Sequence, residues 1–198
     1  MGRKNDGVVA AAAALRGLEG EREMNWRLSA AAAILLCGSA GAAQTPQSPA
    51  ARAFERLSAL AGTWSGSWAN GRAHSVTYRL SAGGTALVET WALGPGRESI
   101  TIYHLDGDRL LATHYCPQGT QPRLALAPAR EADRLDFALV DGANLNAPGR
   151  SHQHNMTIWL RGADRFERSE HYVENGAPAA AGAAEADEVV AYRRVLSQ

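Results

Sequence analysis

Two short segments of this chain carry side chains that could do chemistry together. His114 and Cys116 lie two residues apart in Thr113-His114-Tyr115-Cys116, and His152 and His154 lie two apart in Ser151-His152-Gln153-His154. Residues i and i+2 of an extended strand share a face, so each pair is expected to point one way. Neutral imidazole and thiolate are ligands for zinc or copper. With both faces turned inward, the four groups would look into one cavity. A thiol beside an imidazole can also serve as a nucleophile pair, but only within hydrogen-bond reach, and neighbours at i and i+2 splay apart. A plainer role for Cys116 is that of a small buried hydrophobe. For His114 it is a buried ring bonded to a neighbour such as Glu89 or Tyr103, since buried polar groups need partners.

Three further groups belong with these. Glu89 shares a strand face with Leu87 and Trp91 in Thr85-Ala86-Leu87-Val88-Glu89-Thr90-Trp91. A carboxylate between two large apolar side chains, if inward, requires a cation, and Arg123 is the leading partner on sequence grounds. The loop Pro117–Pro122 would then sit at one end of the fold, with Gln121 and Arg123 offering donors.

The elements that must position these groups read as strands. Apolar residues alternate with polar ones, and turn residues bound each run. The expected strands are 63–69, 75–80, 85–93, 99–105, 109–116, 123–127, 135–140, 152–161, 165–174 and 189–195, with Asp106-Gly107 as the strongest hairpin signal. Phe54, Leu57 and Leu60 line one face of a short helix over 51–60. Ten strands joined mostly by short turns pair best as an up-and-down antiparallel sheet. Closing that sheet into a barrel removes its edges. Longer loops are expected at 141–150 and 175–187.

The N-terminal region reads differently. Residues 24–43 combine a basic start at Arg27, an apolar run from Leu28 to Cys37 and a small-residue end at Ala40-Gly41-Ala42-Ala43. That is the pattern of a secretory signal peptide, with cleavage after Ala42 or Ala43. Residues 1–23 are then expected to be a mis-assigned extension ahead of a true start at Met24, residues 44–50 a linker, and 51–198 the folded domain. Export implies a periplasmic or secreted protein, with no membrane span after cleavage because the apolar run is short. Cys116 would then be the sole cysteine of the domain, without an internal disulfide partner.

Charge excludes some functions. The chain has 20 Lys+Arg and 20 Asp+Glu, so nothing in its balance favours nucleic acid or an anionic membrane. Phosphate-binding glycine loops, zinc Cys-x-x-Cys pairs and spaced catalytic carboxylates are absent from the sequence.

Gly62-Thr63-Trp64, directly after the short helix, resembles the Gly-x-Trp signature of lipocalins and their calycin relatives. The resemblance implies that Trp64 closes one barrel end beneath an arginine of the last strand, here Arg193 or Arg194, with Gly62, Trp64 and the arginine structural. Residues 55–175, through Tyr103-His104-Leu105-Asp106-Gly107, Thr113-His114-Tyr115-Cys116, Gln121-Pro122-Arg123 and His152-Gln153-His154, resemble a bacterial family of small secreted lipocalin-like proteins without an established function. That family has asparagine where this chain has Thr120. The opening Leu60–Gly66 is also similar to nitrobindin, a ten-stranded haem-binding calycin. Nitrobindin's haem ligand is a histidine near the C-terminus, and residues 187–195 contain none, which counts against a haem site of that kind.

The expectation is therefore an all-β, calycin-like barrel of about ten strands that binds a small, partly apolar molecule without catalysis. Its ligand-binding residues would be Glu89, Tyr103, His114, Cys116, Gln121, Arg123, His152 and His154. The first alternative is a metal- or haem-binding protein using His114, His152 and His154. The second is a hydrolase or isomerase acting in the cavity.

Overall fold

A computed structural model describes residues 47–128, 130–174 and 188–196. The expected leader at 24–43, the segment before it and the loop 175–187 lie outside these residues. Residues Gln44–Gln198 make up one compact unit.

Helix α1 spans Pro49–Ser58, starting and ending two residues before the expected bounds. Ser48 caps it, its hydroxyl accepting the Ala51 N–H at 3.1 Å. Pro49 follows at the first turn, where its missing N–H costs nothing. Ala50, Ala53 and Leu57 form its buried stripe.

Ten strands follow: β1 (Gly62–Ser67), β2 (Ala73–Ser81), β3 (Ala86–Gly94), β4 (Arg97–Asp106), β5 (Arg109–Tyr115), β6 (Gln121–Leu126), β7 (Arg134–Ala143), β8 (Ser151–Leu160), β9 (Arg165–Glu174) and β10 (Val190–Arg194). Each pairs antiparallel with its sequence neighbour, and β1 pairs with β10, so the sheet closes into a ten-stranded barrel. The expected all-β barrel with one preceding helix is the observed fold. β7 runs on to Ala143, three residues into the segment expected to be loop.

The interior face follows the alternation. Leu87, Glu89 and Trp91 of β3 point inward, as do Ser99, Thr101 and Tyr103 of β4, and Ala112 and His114 of β5. The barrel has two unlike ends. At the closed end α1 packs against β2, β4 and β5, and Leu57, Leu60, Trp64, Phe166 and Tyr192 join one apolar cluster. Among the described residues the other end, the mouth, is formed by the β1–β2, β3–β4, β5–β6 and β7–β8 turns.

The closed end shows why Gly-Thr-Trp stands there. Trp64 is fully buried and its indole N–H donates to the Leu60 carbonyl at 2.7 Å. The guanidinium carbon of Arg194 lies 4.2 Å from its ring centre, a cation–π contact. Gly62 has φ +129°, and a Cβ there would stand 2.8 Å from Arg194 Nη1, so only glycine fits. Of the two arginines weighed from sequence, Arg194 makes this contact, and Arg193 is exposed.

Candidate functional site

The barrel interior holds a charged centre. Glu89 is fully buried. Its Oε1 accepts the Trp91 indole N–H at 2.6 Å. Its Oε2 accepts the Tyr103 hydroxyl at 2.7 Å and Arg168 Nη1 at 2.5 Å. Arg168 comes from β9, is 2% exposed, and reaches Glu170 Oε1 with Nη2 at 2.6 Å. Its guanidinium carbon also lies 4.8 Å from the Trp91 ring centre.

Burial alone would raise the Glu89 carboxyl, yet Arg168 and the donors Tyr103 and Trp91 hold it below its ordinary range. Burial opposes the charge on Arg168, but Glu170 and Glu89 drive its pKa up. Burial and Glu89 push the Tyr78 and Tyr103 hydroxyls well up. At neutral pH the centre is therefore an ion pair ringed by neutral hydroxyls.

Above this centre, toward the mouth, lie two small chambers of about 170 and 180 Å³. Trp68, Trp91, Glu170 and Tyr172 line both. One chamber is completed by Arg168, Glu188, Val190 and Tyr192. The other is completed by Leu93, Ser99, His114, Cys116 and Pro117. His114 is 3% exposed, and its Nδ1 hydrogen-bonds Thr101 Oγ1 at 2.9 Å. Burial lowers its pKa, with Glu170 pulling weakly the other way, so the ring is neutral at pH 7. Burial and Glu170 push the Tyr172 hydroxyl up.

A polar strap crosses the mouth. The turn after β5 is tied to the start of β8, where Gln118 Oε1 accepts the Ser151 N–H and Gln118 Nε2 donates to Ser151 Oγ, both at 3.1 Å. The buried Thr120 donates its hydroxyl to the Ser151 carbonyl at 3.1 Å. Asn144 Nδ2 donates to the Gly119 carbonyl at 3.0 Å and to Gln121 Oε1 at 3.1 Å. These side chains supply the pairing that the strands have abandoned here.

The residues singled out from sequence divide into two groups. His114 and Cys116 share the chamber wall, and Glu89 and Tyr103 form the floor beneath it. Gln121 belongs to the strap. Arg123 is the clear correction: it is exposed, pairs across β5 with Thr113, and forms a surface ion pair with Asp141. The cation beside Glu89 is Arg168, and the partner of His114 is Thr101 rather than Glu89 or Tyr103.

Gln153 pairs with Tyr172, whose side chain lines both chambers, whereas His152 pairs with Val173 on the opposite face. A bulge between Gln153 and Asn155 breaks the parity argument. The His152 and His154 imidazoles do lie together, with ring centres 5.9 Å apart, but neither lines the chamber that His114 lines, nor the other one. Among the described residues no three His, Cys, Asp or Glu side chains are grouped to hold a metal ion. The set His114, His152 and His154 is thus not assembled.

Sequence reading passed over Trp68, Arg168, Glu170, Tyr172 and Gln153. A usable signal exists for three of them. Phe166, Arg168, Glu170 and Tyr172 have one parity in β9, and the aromatic residues at both ends mark that parity as inward.

A larger cavity of about 570 Å³ lies outside the barrel, between α1 and the β4–β5 and β6–β7 turns. Alanine and leucine line much of it, and Arg52, Arg56, Arg109 and Arg134 contribute its basic groups. None of the buried polar residues lines it. The chemistry-bearing interior opens at the other end.

Fold and site together define an antiparallel ten-stranded β-barrel with a polar, aromatic-walled recess at its open end. No family model matches the sequence, and no curated protein matches it. Four solved chains match. One is the crystal structure of Rv2717c from M. tuberculosis, 20% identical, with the match covering 75% of this chain and 99% of that one at a TM-score of 0.47. The barrel agrees with the calycin resemblance at the level of the fold, and no sequence family ties the chain to lipocalins or to nitrobindin.

Proposed function

We propose that this protein binds a small molecule in the recess at the barrel mouth, without covalent chemistry. The observation that carries the reading is the make-up of the two chambers. Trp68, Trp91 and Tyr172 wall them, while Ser99, His114, Cys116 and Glu170 place a few polar groups among the rings. Binding sites are typically apolar recesses with few, well-placed polar groups, and barrel mouths are a favoured place for them. The size limits the occupant. At ~30 Å³ per water, each chamber holds roughly six water-sized units, well short of a lipid or haem. The leader-like segment at 24–43 supports a periplasmic or secreted place for this binding.

Native mass spectrometry of gently purified protein tests the reading. A retained adduct of low mass is expected, released by unfolding and lost when Trp68→Ala opens the wall. An adduct that survives this change would move the site elsewhere.

A further inference from the structure

We propose that the ligand of the mouth is a small organic cation, an ammonium seated against the aromatic wall of the chambers with Glu170 as its counter-ion. This rests on the reading of the mouth as a binding site and adds the charge of the occupant.

The first support is the imbalance of fixed charge. Among the described residues Glu170 and Glu188 line the chambers and Glu89 lies beneath them, Arg168 is the one guanidinium in their lining, and Arg72 stands beside His74 at the rim. Arg168 contacts both Glu89 and Glu170, so one positive charge is shared between two carboxylates. Glu188 accepts the Ala69 N–H at the rim. The imidazoles do not correct the deficit. Burial lowers the pKa of His114, and it lowers that of His74 beside Trp68. A recess with excess negative charge repels an anion and attracts a cation.

The second support is the aromatic surround. The rings of Trp68 and Trp91 are 6.0 Å apart at 24°. His74 stacks on Trp68 at 4.3 Å, and Tyr192 meets Trp91 edge-on at 5.8 Å. Indole faces attract cations. This cluster already holds one, the Arg168 guanidinium at 4.8 Å from the Trp91 centre. Trp68 and Tyr172 line both chambers and offer ring surface to a second.

The experiment uses matched probes on the full folded chain. Tetramethylammonium, choline and butylammonium are titrated while the indole N–H signals of Trp64, Trp68 and Trp91 are followed by NMR. 3,3-Dimethylbutan-1-ol, the uncharged isostere of choline, and butyrate serve as the contrasts. At least one ammonium should shift Trp68 and Trp91 and leave Trp64 in place, with the neutral and anionic probes at least tenfold weaker. Glu170→Gln should weaken the ammonium at least tenfold and leave the alcohol unchanged. Glu188→Gln, at the exposed rim, should weaken it by a smaller factor. Equal binding of choline and its isostere overturns the cation inference and leaves the binding site standing. So does unchanged ammonium affinity in both variants, or a retained adduct that is neutral or anionic. Failure of every probe, with no adduct retained, removes both.

Discussion

The barrel's two ends each set an arginine against a tryptophan, and the difference lies in what the guanidinium does with its protons. At the closed end Arg194 stacks on Trp64 and donates to backbone carbonyls of Ala59, Ala61 and Ala163, at 3.0, 2.8 and 2.9 Å. Its hydrogen bonds go to neutral carbonyls, its one carboxylate neighbour among the described residues being the exposed Asp164 at 3.3 Å, and its protons hold three segments of chain together. Toward the mouth Arg168 stacks on Trp91, but it donates to the Glu89 carboxylate and forms an ion pair with Glu170. One arrangement ties the barrel shut. The other assembles several desolvated charges at the floor of a recess, which packing alone does not need, since apolar residues would fill that volume at lower cost.

The comparison breaks most sharply at Glu89. Glu89→Ala leaves Arg168 buried without one of its carboxylates and should destabilise the fold by about 3–5 kcal/mol, measured by urea unfolding. Loss of under 1 kcal/mol would mean that the centre is well hydrated and the floor of the recess is open.

Next come the two tryptophans. Trp64→Ala removes a fully buried ring and should cost about 3–5 kcal/mol. Trp68→Ala removes a half-buried ring, so it should lower the melting temperature much less while abolishing binding. Equal losses of stability would erase the distinction between a structural end and a binding end.

Protonation sharpens the contrast further. His114 has its folded pKa lowered by burial from an ordinary value of 6.5. Its unfolded form therefore takes up a proton first as pH falls. Stability is full above pH 6.5 and declines below it, down to the lowered folded value. Glu89 also has a lowered folded pKa, so its contribution is lost at still lower pH, below the ordinary carboxyl value of 4.5. Burial lowers the pKa of His74 and of His152 as well, so His114→Gln should reduce without abolishing the upper decline in thermal melts and leave the lower part intact.

The smallest effect is expected at Arg123. Its pair with Asp141 is about half exposed on both sides, and such pairs contribute little. Arg123→Ala should leave both melting temperature and binding unchanged, and a loss of binding would restore it to the site.

These residues also show how far the sequence could be read. The strands were legible because turn residues bound runs of period two, and Glu89 was legible as inward because Leu87 and Trp91 share its parity. Parity also placed His114 with Cys116. It failed at His152 and His154, where a bulge adds a residue without any marker in the sequence. Arg123 was misassigned because position in a strand end says nothing of face until the hairpin register is known. Its partner Thr113 is the outward neighbour of His114. Arg168 was hidden for a different reason. β9 alternates charged and polar residues on both faces, so polarity carries no period, and only Phe166 and Tyr172 reveal which side is buried.

The most direct test is native mass spectrometry on wild type, Trp68→Ala and Arg123→Ala, prepared alike. A low-mass adduct on wild type and Arg123→Ala, absent from Trp68→Ala, is the predicted result. An adduct carried equally by all three, or by none, would contradict a binding site at the mouth.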